Sequence, residues 1–269
     1  MFSSFMTNAW LSGTVIALLV GAVGFFVVMR GSAFAAHAIP NGAFAGAAGA
    51  NLIGINPLFG LVAFALAAAF GIGTASRRTG SDVSTALALV AMLALGAAFL
   101  ATSTEYEPAV NALLFGEILG VSSSEIVPVL ALAVLCGVSL IYLFRPLLYS
   151  SLSPELSRAR GLNITRIETL FLIIVALASA LAVPVVGALL TFSLTIGPPA
   201  AARLLSSRPG RALALSMLLS LLTLWVAIAS SYTFNLPIGF FVGTLSAALY
   251  LFVRAWVVLR TRRSIAQSA

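Results

Sequence analysis

Long apolar runs, interrupted by small clusters of arginine, fill almost the whole chain. The arginines fall at Arg30, at Arg77 and Arg78, from Arg145 to Arg166, from Arg203 to Arg211 and from Arg254 to Arg263. Each interval between clusters holds more apolar residues than one membrane-spanning helix of about 20 residues requires. The clearest interval, Thr169 to Ala202, carries no charge and is barely long enough for two crossings. Both its ends are basic. Basic ends stay cytoplasmic, so the number of crossings is even. Pro184 near its middle marks the expected hairpin turn. The same pattern puts turns at "NLIGINP", within "STEYEPAVNALLFGEILGVSSSE" and at "SYTFNLPIG". Four hairpins plus the first run, about Ala9–Met29, predict about nine transmembrane helices. The N-terminus is then outside and the C-terminal "RTRRSIAQSA" inside.

Composition supports this. Of 269 residues, 61% are hydrophobic and 8% charged, with a mean hydropathy of +1.13. A soluble domain carries about 25% charged residues. The chain is therefore expected to be an all-α polytopic membrane protein, one membrane domain over 1–269 with no appended soluble domain. A β-barrel is excluded, because barrels are built from alternating segments of roughly ten residues. The first run lacks a basic leader and a small-x-small cleavage site, so it reads as a retained helix. The net charge of +7 comes entirely from arginine. At helix ends it sets orientation, and no nucleic-acid partner is expected. Four of the seven acids, Glu105, Glu107, Glu117 and Glu125, fall in one loop predicted to be outside, in agreement with that sidedness. The lone Cys136 allows neither an internal disulfide nor a cysteine metal cluster and reads as a small buried apolar residue.

Three segments carry polar chemistry. "AFAAHAIPNGAFAGAAGA" holds the only histidine, His37. Ala38, Gly42, Gly46 and Ala50 recur every four residues and form a ridge without bulk, which lets another helix approach closely. His37 and Asn41 lie one turn apart on the neighbouring ridge. Pro40 frees the carbonyl of Ala36 and is expected to kink the helix. The polar pair is read either as the wall of a pathway, the default for an ionisable intramembrane group, or as hydrogen-bonding glue between helices.

In "RPLLYSSLSPELSRARGLN", Ser153-Pro154-Glu155 is a helix start, with an N-cap, a proline at the first position and an acid in the first turn. Arg158 lies towards the other end and Gly161 can terminate the helix. An ordinary basic loop needs no capped helix, so this segment reads as a docking element for a cytoplasmic partner. In "VPVVGALLTFSLTIGPPAAARLL", hydroxyls at Thr191, Ser193 and Thr195 alternate with apolar residues, and Gly197-Pro198-Pro199 is expected to break the helix. Broken helices at membrane depth line cavities or sit within protein. Thr191, Ser193, Asn41 and Glu117 are the candidate pathway-lining residues. No nucleophile elbow, HExxH or P-loop is present, so the chain has no ATPase site of the Walker kind and is not expected to be an enzyme or to bind a cofactor.

These segments, in this order, resemble the membrane subunits of the manganese/zinc/iron family of ABC importers, the ABC-3 family. The stretches that carry the resemblance are "HAIPNGAFAGAAGA", "LLFGEILGVS", "SPELSRARGL", "VVGALLTFSLTIGPPAAARLL" and "LPIGFFVGTLS", spanning about Ser12 to Val258. The resemblance implies a type II importer permease in the cell membrane, working as a homodimer among membrane lipid. Two cytoplasmic ATPase subunits drive it, an extracellular metal-binding lipoprotein feeds it, and a divalent metal ion such as zinc or manganese is its cargo. "SPELSRARGL", with Ser153, Pro154, Glu155, Arg158 and Gly161, would be the helix coupling it to the ATPase. His37 would be a metal ligand. Members of this family commonly carry Asp four residues before the histidine; this sequence has Ala33 there, so charge compensation for a cation must come from elsewhere. The alternatives are a self-contained secondary transporter or channel, and an ABC permease whose cargo is not a bare metal ion.

Overall fold

The computed structural model describes residues 4–79, 81–102, 114, 116 and 123–268. Every regular element among them is helical: α1 (Ser4–Arg30), α2 (Ala33–Leu52), α3 (Pro57–Thr79), α4 (Ser81–Ala101), α5 (Ser123–Leu152), the short α6 (Pro154–Ala159), α7 (Ile164–Val186), α8 (Ala188–Leu205), α9 (Pro209–Phe234) and α10 (Ile238–Ser268). Six of them, α1, α3, α5, α7, α9 and α10, are long and apolar enough to cross a membrane. The apolar part of α4, Thr85–Ala101, is shorter. His37, Pro40, Asn41 and several glycines dilute α2, and α8 is an 18-residue helix with two prolines and Arg203.

Helix ends follow local chemistry. Gly31, with φ +68°, separates α1 from α2. The expected turn at "NLIGINP" forms, where Gly54 takes φ +74° and the Asn56 side chain accepts a 2.9 Å hydrogen bond from the Leu58 N–H, opening α3 at Pro57. Asn163 caps α7 by accepting from the Arg166 N–H at 3.1 Å. Asn235, in the left-handed region at φ 56°, closes α9.

Lipid tails are as apolar as leucine, so helices in a bilayer associate through close packing and hydrogen bonds. The inner helix α1 shows both. Gly21 brings it against α9, where the Ser216 hydroxyl donates to the Gly21 carbonyl at 2.6 Å. Gly24 brings it against α8, with no room for a Cβ beside the Thr195 carbonyl. Phe26 meets Phe25, Phe144 and Phe171 edge-on, at 5.1, 5.6 and 6.3 Å, and joins α1 to α5 and α7. Cys136 is buried, as expected.

Two expectations fail along the α7–α8 stretch. The chain does not turn at Pro184, and α8 is not broken at Gly197-Pro198-Pro199. Both prolines of α8 lie inside a continuous helix, and α7 runs through Pro184 to Val186. A proline removes only one intrahelical hydrogen bond, and neighbouring helices within a membrane protein make that tolerable. The break falls instead at Gly187, whose φ of 90° and ψ of 152° belong to a region essentially restricted to glycine.

Candidate permeation and coupling sites

α2 packs mainly against α3 and α4 and also touches α7 and α8. The small-residue ridge is the reason for the first of these contacts. A Cβ on Gly46 would strike the Gly60 carbonyl oxygen, and one on Gly42 would lie 2.9 Å from Ala68 Cβ. His37 leaves α2 towards α8. Its half-buried ring meets Phe192 edge-on, with centroids 4.8 Å apart and planes at 66°. His37 Nδ1 is buried and has no hydrogen-bond partner. Asn41, one turn on, is fully buried. Its Nδ2 donates to the His37 carbonyl at 2.7 Å, while Oδ1 has no partner. An unpaired buried polar atom is costly, and two of them one turn apart on one helix mark a place where the fold withholds hydrogen bonds.

Phe192 has a second neighbour. With Ser193, Ile196 and Gly197 of α8, and with Gly243, Ser246 and Tyr250 of α10, it lines an open groove of about 370 Å³. The walls are close: a Cβ on Gly197 would come within 2.8 Å of Ser246 Cβ. Ser246 Oγ is buried there without a partner. The sequence pattern did not single out Phe192 or Ser246. The small residues Gly243 and Ala247, four apart and lining the same groove as Gly197 and Ala200, were the available signal.

The hydroxyls of α8 divide between two faces. Thr191 and Thr195 are buried, and each bonds within its own helix, Thr191 to the Gly187 carbonyl and Thr195 to the Thr191 carbonyl, both at 2.7 Å. Ser193 alone of the three borders the groove. An alternating pattern on a helix sends its members to opposite sides, because two residues turn it by about 200°. Thr191 and Asn41 therefore sit in the interior. Glu105, Glu107 and Glu117 lie outside the described residues. Among the described residues, no group of three or more His, Cys, Asp or Glu is placed to hold a metal ion. Within the six candidate spans the only carboxylate is Glu168, on the second turn of α7.

The second site is α6. Ser153 precedes it, and the Ser157 N–H and hydroxyl both bond the Ser153 carbonyl, at 3.1 and 2.9 Å. At the other end the Gly161 N–H bonds the Arg158 carbonyl at 2.9 Å and the Leu162 N–H the Ser157 carbonyl at 3.0 Å, the paired pattern that ends a helix on a left-handed glycine. Gly161 has φ +76°. Ser157 faces inward, Arg160 stacks over Tyr149 of α5 at 5.0 Å, and Glu155 and Arg158 are exposed. A six-residue helix, closed at its C-terminus and pinned to the bundle, thus presents one acid and one base outward.

Comparison with known proteins extends these local features to the whole chain. The manganese transport system membrane protein MntC of Listeria monocytogenes is 29% identical over 242 residues, covering 88% of this chain and 85% of that protein. The high-affinity zinc uptake system membrane protein ZnuB of Haemophilus influenzae is 27% identical, covering 90% of this chain and 94% of that protein. The fold matches a chain of PsaBC from Streptococcus pneumoniae in complex with Fab, with a TM-score of 0.85 and 24% identity over 93% of this chain and 91% of that one. The family described as the ABC 3 transport family matches residues 2–257, and the chain belongs to that family as a multi-pass membrane permease.

Proposed function

We propose that the chain is the membrane-spanning subunit of an ATP-driven importer that brings a divalent metal ion, manganese or zinc, across the plasma membrane. The observation that carries this reading is end-to-end likeness: relatives named for manganese transport and for zinc uptake align over nearly their whole length. The likeness covers most of this chain and most of each relative.

In this reading the chain crosses the membrane nine times, N-terminus outside and C-terminus inside. Two copies stand on two cytoplasmic ATPase subunits, and an extracellular metal-binding lipoprotein delivers the ion. α6 is the coupling helix. Its exposed Glu155 and Arg158 enter the ATPase, Ser153 and Pro154 start it and Gly161 ends it; the capped, outward-facing geometry supports that role. His37 is a transient ligand in the path. Its unpaired buried Nδ1 and its contact with Phe192, which borders an open groove, support this. Imidazole nitrogen suits zinc better than the harder ions manganese, calcium or magnesium. A path must also release what it holds, so one or two neutral ligands are an advantage. Ala33 opens α2 where the resemblance leads one to expect Asp. The compensating charge is then assigned to the acids Glu105, Glu107 and Glu117 at the outer mouth.

The test is accumulation of radioactive manganese and zinc by cells with and without this chain, its ATPase partner being present in both. Uptake that depends on the chain supports the proposal. Equal uptake of both metals in the two strains contradicts it.

A further inference from the structure

The surface between α5 and α9 is notched down to α1. The floor is Leu18, Leu19 and Ala22 of α1, and the walls include Leu140 and Phe144 of α5 and Leu213 and Met217 of α9. The notch holds about 430 Å³, and every lining side chain is apolar. From Leu130 to Phe144 it follows α5 for about 21 Å at the helical rise, a little more than one leaflet of a hydrocarbon core about 30 Å thick. Gly137 stands in its wall, and a Cβ there would meet nothing within 4 Å.

One end of the notch is charged. Arg145 follows Phe144 and lies one turn beyond Ile141, another lining residue, on the same stripe of α5. Arg145 is exposed and has no hydrogen bond or ion pair among the described residues. A helix is about 10 Å across and does not fit a notch of this size, whereas an acyl chain does and leaves no backbone group unpaired.

The geometry points to a binding site for one anionic phospholipid, with an acyl chain in the α1–α5–α9 notch and its phosphate held by Arg145. Guanidinium matches phosphate in shape as well as charge. The lipid belongs to the leaflet on the Arg145 side, where surface arginines draw in anionic headgroups. This site rests on α1, α5 and α9 spanning the membrane and is independent of the cargo.

The full chain, reconstituted in vesicles of equal phosphatidylglycerol and phosphatidylcholine and then released in mild detergent, is analysed by native mass spectrometry. The wild type retains phosphatidylglycerol roughly tenfold over phosphatidylcholine. Arg145→Gln lowers that preference about fivefold, the share of one surface arginine. Gly137→Phe fills the notch and loses both lipids, and Gly137→Leu does so in part. Gly71→Phe, at an exposed position on α3 with open space around it, changes nothing. Thermal unfolding of each variant verifies that it is folded. Equal retention of the two lipids by the wild type would overturn the site, as would unchanged retention by folded Gly137→Phe. A shift from dimer to monomer in Gly137→Phe, without loss of lipid, would overturn it too and assign the notch to a second copy of the chain.

Discussion

Gly46 on α2 and Gly60 on α3 meet backbone to backbone: a Cβ added to either would collide with the carbonyl oxygen of the other. A Cβ on Gly60 would also lie 2.7 Å from Ala50 Cβ, the next step of the same ridge. The helix that bears His37 is held in place by this crossing.

Enlarging either glycine therefore separates α2 from α3. Gly46→Ala is expected to cost about 1–3 kcal/mol, as overpacking of a close contact does, and Gly46→Leu more. Gly71→Ala, in open space on the same α3, is expected to be neutral or slightly stabilising. Thermal unfolding of the purified chain in detergent checks this. Equal midpoints for Gly46→Ala and Gly71→Ala would show that the crossing yields freely.

The orientation is tested by reporters. A cytoplasmic-only reporter fused after Ala269 is expected to be active, and one inserted near Glu107 inactive. A reporter active only outside should give the reverse. Activity of the first kind at both positions would exclude an odd number of crossings between Glu107 and the end of α10, and with it the nine-span arrangement.

Charge reversal on α6 should uncouple the transporter. In the double variant Glu155→Arg with Arg158→Glu, both exposed groups present the wrong sign to the ATPase surface, and like-charge contacts across an interface are strongly unfavourable. Membrane insertion is expected to be normal, with transport lost and ATP hydrolysis no longer stimulated by cargo. Transport at the full rate would remove α6 from the coupling interface.

Much of this arrangement is legible in the sequence because it is local. Twenty-residue apolar blocks between arginines specify helices, Asn56-Pro57 specifies a turn, and a four-residue spacing of Ala and Gly specifies a close crossing. The α7–α8 break is local too, yet it falls at Gly187 and not at Pro184. Pro184 is the conspicuous residue, but a proline costs a membrane helix one hydrogen bond, whereas Gly187 supplies a backbone conformation that other residues resist. The alternation of Thr191, Ser193 and Thr195 divides the hydroxyls between the interior and the groove, because two residues turn a helix by about 200°. The meeting of His37 with Phe192 was not legible at all, since it depends on how α2 and α8 approach one another across the bundle.

That meeting bears on the central claim, that a divalent cation passes His37 on its way through the membrane. The most direct measurement is initial uptake of radioactive manganese and zinc by cells expressing the wild type, His37→Ala or Ala33→Asp at matched membrane levels. Uptake by His37→Ala is expected to fall roughly tenfold or more, since loss of even an outer partner of a metal ligand costs 10–100-fold. Ala33→Asp, which adds a carboxylate one turn from the imidazole, is expected to hold uptake or raise it. Normal uptake of both metals by His37→Ala would contradict the account and leave the histidine as a packing residue against Phe192.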